Sequence, residues 1–565
     1  MKRAILIVLS ILLVIPSHAG NVVTAEKARA IAGDFLAAQS PAGTVTSAVA
    51  SGKTRYVGSG VDGTWHAYNF EGGGYVLVSG DDAFGPYLAY SRTGTFTGRD
   101  LPSNVRSYLS LLEDEVLWYR AHPKAERKIA AVTSETEEVV LNTAKWDQGN
   151  PYNLLAPNKS YTGCVATAMA IVMRYNRWPE AGTGTIGGYK TSTKKYEIEA
   201  YELGHKYDWD NMPVDGKFLN QDQKDQVARL MYDCGVMVWM DYTTSGSGAY
   251  TEDVPGALIE HMGYSKAMRM MSRAAYDRST WFKMIKDQID ADRPVLYGGS
   301  SSEGGHQFVV DGYNSSNYVH INFGWGGKSD DFYMLTDMGG FTSGQDIVIN
   351  IKKDEGEQKE KYYMFGLYDG CSLKMSTAYT PGNPFNVKVD GFLLNMSLDD
   401  FTGSVAAGLD DYYGNLDEII SELWEVEDIP MYYGWEDPEF TCSPSKEVIP
   451  GRRVRLYFKP AGSEEWTPCG YNEDDGTIGY VYPAGEGMNF EEFTTINFDK
   501  ESKVLTVTIP FEGIGHSLKG TSGAEIQPEN SADPLTLIYN AQDFSGEYKL
   551  TLSYYEQIKE ISLKF

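Results

Sequence analysis

The chain has 565 residues, of which 42% are apolar and 22% are charged, and it carries a net charge of −28 at pH 7. A chain of this length exceeds one hydrophobic core, so about three or four domains are expected. The acidic balance argues against nucleic acid or an anionic membrane surface as a partner, because both bind through basic patches.

The N-terminus reads as a secretory signal peptide over residues 1–19. Lys2 and Arg3 precede a short apolar run at 4–15, and a small-residue cleavage site (SHA) follows at 17–19. The run is too short to span a bilayer, and no cysteine follows the site to carry a lipid. We therefore expect a secreted protein, extracellular, periplasmic or at the cell surface, without a transmembrane segment.

Residues 20–140 are predicted to form a compact α+β unit. Thr24 is a suitable cap for a helix through Gln39, and an amphipathic helix is predicted over 101–122. Strands are predicted at 65–70 and 75–80 around a glycine turn. The small, polar stretch at 130–138 resembles an exposed linker of the kind that proteases cut.

Residues 141–352 are predicted to form a second α+β unit, because helical patterns come first and strand patterns follow. The predicted helices lie at 164–176, 221–234, 252–262 and 278–290, and the predicted strands at 294–297, 307–311, 317–322, 332–335 and 346–350.

A charged linker at 353–361 separates this unit from a C-terminal part with short alternating strands. Two β-sandwich modules of the immunoglobulin-like kind are predicted there, at 362–485 and 486–565. The five cysteines are not spaced like a disulfide framework or a zinc site, and an odd thiol in an exported chain suggests one kept free for reaction. No phosphate-binding loop, dinucleotide fingerprint or metal spacing is present, so we expect no cofactor and no metal.

Cys164 is the first candidate for chemistry. Gly163 allows a turn into a buried helix, which places Cys164 where unpaired amides and the helix dipole favour a thiolate. Gln148, in an irregular stretch upstream, is a plausible oxyanion donor. The alternative for Cys164 is a structural cysteine, since free cysteines are commonly buried.

His306 is the candidate base. Gly304 and Gly305 precede it at the start of a strand, which suits the close approach of a substrate chain. The imidazole would take the thiol proton and later protonate the leaving amine. The alternative is a surface histidine at a sheet edge.

Further residues support this pair. Asn322 could hold His306 in its productive tautomer, and Trp325 could shield that bond from water. The loop containing Ser247 could present backbone groups to a substrate, although such loops are often only connections. His320 competes with His306 as the base, but it lies within a strand without flanking glycines, so we interpret it as a packed structural histidine.

Together these segments resemble the streptopain family of secreted bacterial cysteine peptidases, which are papain-like in fold. The matching motifs are QGNPYNLLAP from Gln148, GCVATA around Cys164, the 240–247 loop, GGH ending at His306, and NFGWGG from Asn322. The resemblance implies a zymogen whose N-terminal pro-domain blocks the cleft until self-cleavage removes it.

Carried over by position, the resemblance implies that Cys164 is the nucleophile, His306 the base and Gln148 the oxyanion donor. It also implies that Ser247 and Gly305 contact substrate; Trp325 is predicted to join them. Phe323 departs from the family's tryptophan, and the tail from 362 is absent from the simplest members.

The sequence therefore predicts a cysteine endopeptidase that acts on proteins or peptides, with its own pro-domain as an intramolecular inhibitor. Two alternatives remain open. One is a catalytically silent adhesin or binding protein that acts through the β modules, and the other is amide transfer to an amine instead of water.

Overall fold

The computed structural model describes residues 21–39, 53–82, 84–98, 101–121, 136–276, 278–301, 304–335, 345–358, 361–367, 371–377, 379, 382–410, 415–445, 448, 452–470, 480–481, 494–499, 502, 504–509, 515–520, 525–529, 536–540, 546–554 and 557–564. The predicted signal peptide and most of the predicted 130–138 linker lie outside these residues. The chain forms two compact units: Met1–Arg273 with Asp277–Glu360, and Ala274–Tyr276 with Lys361–Phe565.

The N-terminal segment of the first unit packs two helices on a strand meander. Thr24 caps the first helix as predicted, since its Oγ1 accepts from the Lys27 amide at 3.3 Å. Phe35 of that helix packs its ring against Tyr87 and Tyr90. The elements are α1 (Ala25–Ala38), β1 (Thr54–Ser59), β2 (Trp65–Phe70), β3 (Tyr75–Ser79), β4 (Tyr87–Ser91) and α2 (Ser103–Ala121).

The rest of the first unit has helices before strands, as the sequence predicted. The elements are β5 (Glu138–Val140), α3 (Cys164–Asn176), β6 (Thr185–Ile186), β7 (Tyr189–Lys190), β8 (Glu197–Ile198), β9 (Tyr201–Glu202), α4 (Gln221–Met237), α5 (Asp253–Met262), β10 (Arg269–Ser272), α6 (Arg278–Asp290), β11 (Val295–Ser301), β12 (Gly304–Asn314), β13 (Tyr318–Asn322), β14 (Asp331–Met334) and β15 (Asp346–Ile349). The predicted α+β class is confirmed.

One antiparallel sheet joins both segments of the first unit. Its order is β1-β2-β3-β4-β14-β13-β12-β11-β15-β10, and β5 pairs with the end of β12. The connection between the segments is the β4–β14 pair, in which Tyr90 lies opposite Phe332. The boundary predicted near residue 140 therefore divides two segments that share hydrogen-bonded strands, and it stays a prediction.

The strands that carry the candidate site are covered on both faces. Helix α3 packs against β11 and β12 on one face, and α2 and α6 pack on the other. Tyr108 of α2 meets the ring of Phe308 edge-on at 5.6 Å, and Trp281 of α6 meets Tyr297 at 6.1 Å. Because side chains alternate along a strand, neighbouring residues of β12 face different helices.

Buried carboxyl groups lie where the N-terminal segment meets β13 and β14. Tyr75 donates to Asp331 Oδ2 at 2.9 Å, and His320 Nδ1 lies 2.5 Å from Asp311 Oδ1. Burial raises the pKa of Asp331 to about 6 and that of Asp330 to about 7. Burial alone would lower the pKa of His320, but the neighbouring carboxylates, Asp311 first, raise it to about 8.

The second unit is built from short strands, as predicted. They are β16 (Phe365–Leu367), β17 (Ser372–Met375), β18 (Phe385–Asp390), β19 (Phe392–Asn395), β20 (Phe401–Asp410), β21 (Leu416–Ile419), β22 (Trp424–Ile429), β23 (Gly434–Glu436), β24 (Glu439–Cys442), β25 (Val454–Pro460), β26 (Thr467–Pro468), β27 (Tyr480–Val481), β28 (Thr495–Asp499), β29 (Val504–Thr508), β30 (Gly515–Gly520), β31 (Glu525–Ile526), β32 (Thr536–Asn540), β33 (Glu547–Tyr554) and β34 (Gln557–Lys564).

Two separate apolar cores lie within these strands. One contains Phe401 and Leu456, and the other contains Leu505 and Leu552. The cysteines at 371, 442 and 469 lie in the first of these cores. Separate cores support the proposal of two β modules; the predicted boundary near 485 lies outside the described residues.

The buried carboxyl groups predict a pH-dependent stability of the first unit. An aspartate in an unfolded chain has a pKa of about 3.9, whereas the pKa of Asp330 in the fold is about 7. Between about pH 4 and pH 7, Asp330 is therefore ionised in the unfolded chain but protonated in the folded one. The free energy of unfolding of the first unit therefore falls by about 1–3 kcal/mol as the pH rises through this range. Asp330→Asn should reduce this loss.

Urea denaturation at pH 5 and pH 7.5, read by hydrogen exchange of β13 and β14, measures the effect. Asp225→Asn, on an exposed face of α4, is the matched control. An unchanged pH dependence in Asp330→Asn would show that this carboxyl group does not carry the effect.

The two cores predict two unfolding transitions in the second unit. Leu456→Ala and Leu552→Ala each remove a buried side chain, which typically costs about 2–5 kcal/mol. Hydrogen exchange across a urea series should show that each variant destabilises only the strands around its own core. One shared transition that shifts equally in both variants would contradict the two-module proposal.

Candidate active site

Cys164 is the first residue of α3, as the sequence predicted. Gly163 precedes it with φ +89°, and a Cβ there would collide with the Met240 thioether and lie 3.1 Å from the Ser247 carbonyl oxygen. Only glycine permits both the positive φ and this close approach. The turn into the helix therefore fixes the position of the thiol.

The electrostatics of this thiol differ from the sequence-based expectation. Burial raises the pKa of Cys164, although the backbone amides of Gln307, Val165 and Cys164 itself act to lower it. Burial therefore acts against the thiolate that the sequence predicted, because removing the charged sulfur from water disfavours its ionised form.

His306 lies on the other face of β12. It pairs with Gly299 of β11, and its neighbour Gln307 pairs with Gly298. His306 borders a small cavity together with Tyr108 and Leu111 of α2 and Phe308 of β12. The imidazole therefore faces α2, whereas the Gln307 amide contacts Cys164.

Gln148 lies close to the start of α3. Its carbonyl oxygen accepts from the Thr162 amide at 3.1 Å, and the residue is buried. This bond ties the loop that carries Gln148 to the chain two residues before Cys164, so the structure brings together the predicted nucleophile and the predicted oxyanion donor.

Asn322 is buried on the β13 strand but does not bind His306. Its Nδ2 donates to Thr143 Oγ1 at 2.9 Å and to the Ala144 carbonyl at 3.0 Å. Its Oδ1 accepts from the Gly324 amide at 3.0 Å. Because Asn322 lies opposite Val309, it shares the face of Gln307 and not that of His306.

The residues predicted to contact substrate surround this region. Trp325 meets Tyr161 edge-on at 5.9 Å and lines a cleft of about 450 Å³ with Tyr152 and Phe218. The Ser247 hydroxyl donates to the Tyr161 carbonyl at 2.7 Å, so it stabilises the loop, and its backbone borders Gly163. Gly305 is exposed at the start of β12.

His320 forms the close pair with Asp311 and packs on Phe332 at 5.2 Å, which is compatible with the interpretation of a packed structural histidine. Sequence reasoning missed Gln307, Thr251 and Asp346, which cluster on the Cys164 face. Strand alternation after His306 could have indicated Gln307, but no sequence signal links it to the other two.

Among the described residues, no group of three histidine, cysteine, aspartate or glutamate side chains is placed to hold a metal ion. Within the same part of the chain, no helix has the length and apolar character needed to cross a bilayer.

Two segments of the chain match profiles of known protein families. Residues 146–333 match the Peptidase C10 family, and residues 20–116 match the Spi protease inhibitor profile. The second match covers the segment that contains α1, β1–β4 and most of α2.

Curated relatives are 30% identical to this chain over the residues that align. The thiol protease/hemagglutinin PrtT of Porphyromonas gingivalis is 30% identical over 391 residues, which are 63% of this chain and 45% of that protein. The chain thus spans less than half of PrtT. Streptopain of Streptococcus pyogenes is 30% identical over 327 residues, which are 51% of this chain and 80% of that protein.

Solved structures of similar proteins come from Prevotella intermedia. A fragment of prointerpain A is 27% identical and aligns with a TM-score of 0.47, covering 54% of this chain and all of that one. Active interpain A is 32% identical with a TM-score of 0.35, covering 38% of this chain and 95% of that one. From the identity to Streptopain over four fifths of its length, together with the matched profile, the chain belongs to the Peptidase C10 family of cysteine peptidases.

Proposed function

We propose that the protein is a secreted cysteine endopeptidase, synthesised as an inactive precursor that processes itself. Cys164 is the nucleophile, His306 the general base and acid, and Gln148 an oxyanion donor. The observation that carries the proposal is the start of α3, where the Cys164 thiol lies against the backbone of the residue that follows His306. The signal-like N-terminus of the sequence supports export.

The contacts of His306 support the inactive state. Tyr108 and Leu111 of α2 share a cavity with the imidazole, and α2 lies in the segment that matches an inhibitor profile. In this proposal, α2 keeps the imidazole away from the thiol in the precursor. Removal of the N-terminal segment frees the start of β12 to rotate, so that His306 replaces Gln307 on the Cys164 face.

In the active enzyme, the Cys164 thiol and the His306 imidazole then act as a pair. The imidazole accepts the thiol proton, and the sulfur attacks the peptide carbonyl carbon. The Cys164 amide and the Gln148 side chain donate to the oxyanion, and the imidazolium gives its proton to the leaving amine. Water, deprotonated by the imidazole, attacks the thioester carbonyl and releases the acid and the free thiol. Asn322 orients the imidazole through the remaining lone pair of its Oδ1.

Self-processing predicts a change in mass that depends on Cys164. Purified full-length protein should shorten with time to a product that begins between about residues 130 and 142, whereas Cys164→Ala should stay intact. Mass spectrometry and N-terminal sequencing measure both. Equal processing of Cys164→Ala would refute self-cleavage, and a product that begins after Trp146 would refute the linker assignment.

The oxyanion assignment predicts a large loss of rate in Gln148→Ala. Removal of one oxyanion donor typically lowers kcat about 100- to 1000-fold, without unfolding the chain. Casein hydrolysis by the matured enzymes measures the loss, and Gln221→Ala on the exposed start of α4 is the control. A folded Gln148→Ala enzyme that works at the parent rate would show that Gln148 is not an oxyanion donor.

A further inference from the structure

A polar cavity of about 740 Å³ lies where the N-terminal segment meets β13 and β14. Its titratable side chains, apart from a tyrosine, all belong to the part of the chain after residue 140; they are Lys145, Asp311, His320, Lys328, Asp330 and Asp331. The described residues of the N-terminal segment add only uncharged side chains to the lining, among them the hydroxyl groups of Tyr75, Ser91 and Thr95. Docking of this segment therefore removes charged groups from water without bringing an opposite charge to the cavity.

Asp331 is the carboxyl group of this cavity that the N-terminal segment contacts directly. Tyr75 of β3 donates to its Oδ2 at 2.9 Å, and Ser91 at the end of β4 forms a second hydrogen bond with it. Two neutral hydroxyl groups replace only part of the hydration that a carboxylate loses on burial. Burial accordingly raises the pKa of Asp331 to about 6, although the hydrogen bonds from Ser91 and Tyr75 act to lower it.

The other charges that face Asp331 belong to its own side of the cavity. His320 of β13 and Lys145 favour the carboxylate electrostatically, whereas Asp330 is a neighbouring acid. His320 has a pKa of about 8, so it keeps its charge at acidic and neutral pH. Because these groups lie on the same part of the chain as Asp331, they remain its neighbours when the N-terminal segment leaves. The change on docking is therefore the exchange of water for the hydroxyl groups of that segment.

We propose that docking of the N-terminal segment is coupled to protonation of Asp331, so that the segment is held at acidic pH and released as the pH approaches neutrality. The geometry that carries the proposal is a carboxyl group enclosed by neutral hydroxyl groups of one segment at the edge where β4 pairs with β14. The consequence for activation rests on the proposed function: once the linker is cut, the segment leaves the peptidase sooner at neutral pH.

The direction of the pH dependence follows from the two states of Asp331. An aspartate that faces water has a pKa of about 3.9, whereas the docked group has a pKa of about 6. Docking is therefore strongest below about pH 4 and weakens as the pH rises to about 6, because the undocked state loses its proton first. Asp330, whose pKa burial raises to about 7, lines the same cavity and acts in the same direction.

Hydrogen exchange of the full-length Cys164→Ala chain tests the coupling without any need for catalysis. Protection factors, corrected for the intrinsic exchange rate at each pH, are compared at pH 4.5 and pH 7 for β4 and β14, with α3 as the interior reference. Protection of β4 and β14 should fall about 10- to 100-fold more than that of α3, as a pKa rise of about two units implies. Adding Asp331→Asn should reduce this fall about tenfold, and the exposed control Asp225→Asn should keep it.

The coupling is refuted if β4 and β14 keep their protection relative to α3 at both pH values, or if a folded Asp331→Asn chain shows the full fall. Tyr75→Phe gives a second test that does not alter the carboxyl group. It removes a donor to the docked carboxylate, so it should lower protection more at pH 7 than at pH 4.5; an equal loss at both would contradict the coupling. These results leave the peptidase proposal intact, which fails separately if Cys164→Ala processes itself.

Discussion

The alternation of side chains along β12 is the constraint on which the site depends. Two consecutive residues of a strand cannot face the same helix, so either His306 or Gln307 can lie beside α3, but not both. In this structure Gln307 has that position, and α2 covers the imidazole on the opposite face. In the proposed mechanism, the start of this strand therefore determines whether the imidazole can reach the thiol.

The state of the thiol follows from the same constraint. The amides at the start of α3 and of Gln307 lower the pKa of Cys164, but burial raises it by more. A helix N-terminus contributes a partial charge that falls off within one turn, whereas burial removes hydration that stabilises the charged sulfur. In the proposed active state, a neighbouring imidazolium would favour the ionised thiol.

Local features could be predicted from the sequence because interactions between residues close together in the chain determine them. Thr24 as a cap, Gly163 before α3 and the order of helices and strands all depend on near neighbours in the chain. The bonds of Asn322 to Thr143 and Ala144 could not be predicted, because they join residues almost 180 positions apart. The β4–β14 pairing joins residues that are even farther apart in the chain, and only the fold reveals that the N-terminal segment extends the sheet of the site.

Gln307 joins the thiol to a second polar group of the sheet. Its backbone amide contacts Cys164, and its side chain donates to Thr251, which is hydrogen-bonded to Asp346. Because the backbone and the side chain of one residue cannot move independently, any shift of the start of β12 changes the surroundings of the thiol and of this polar group together.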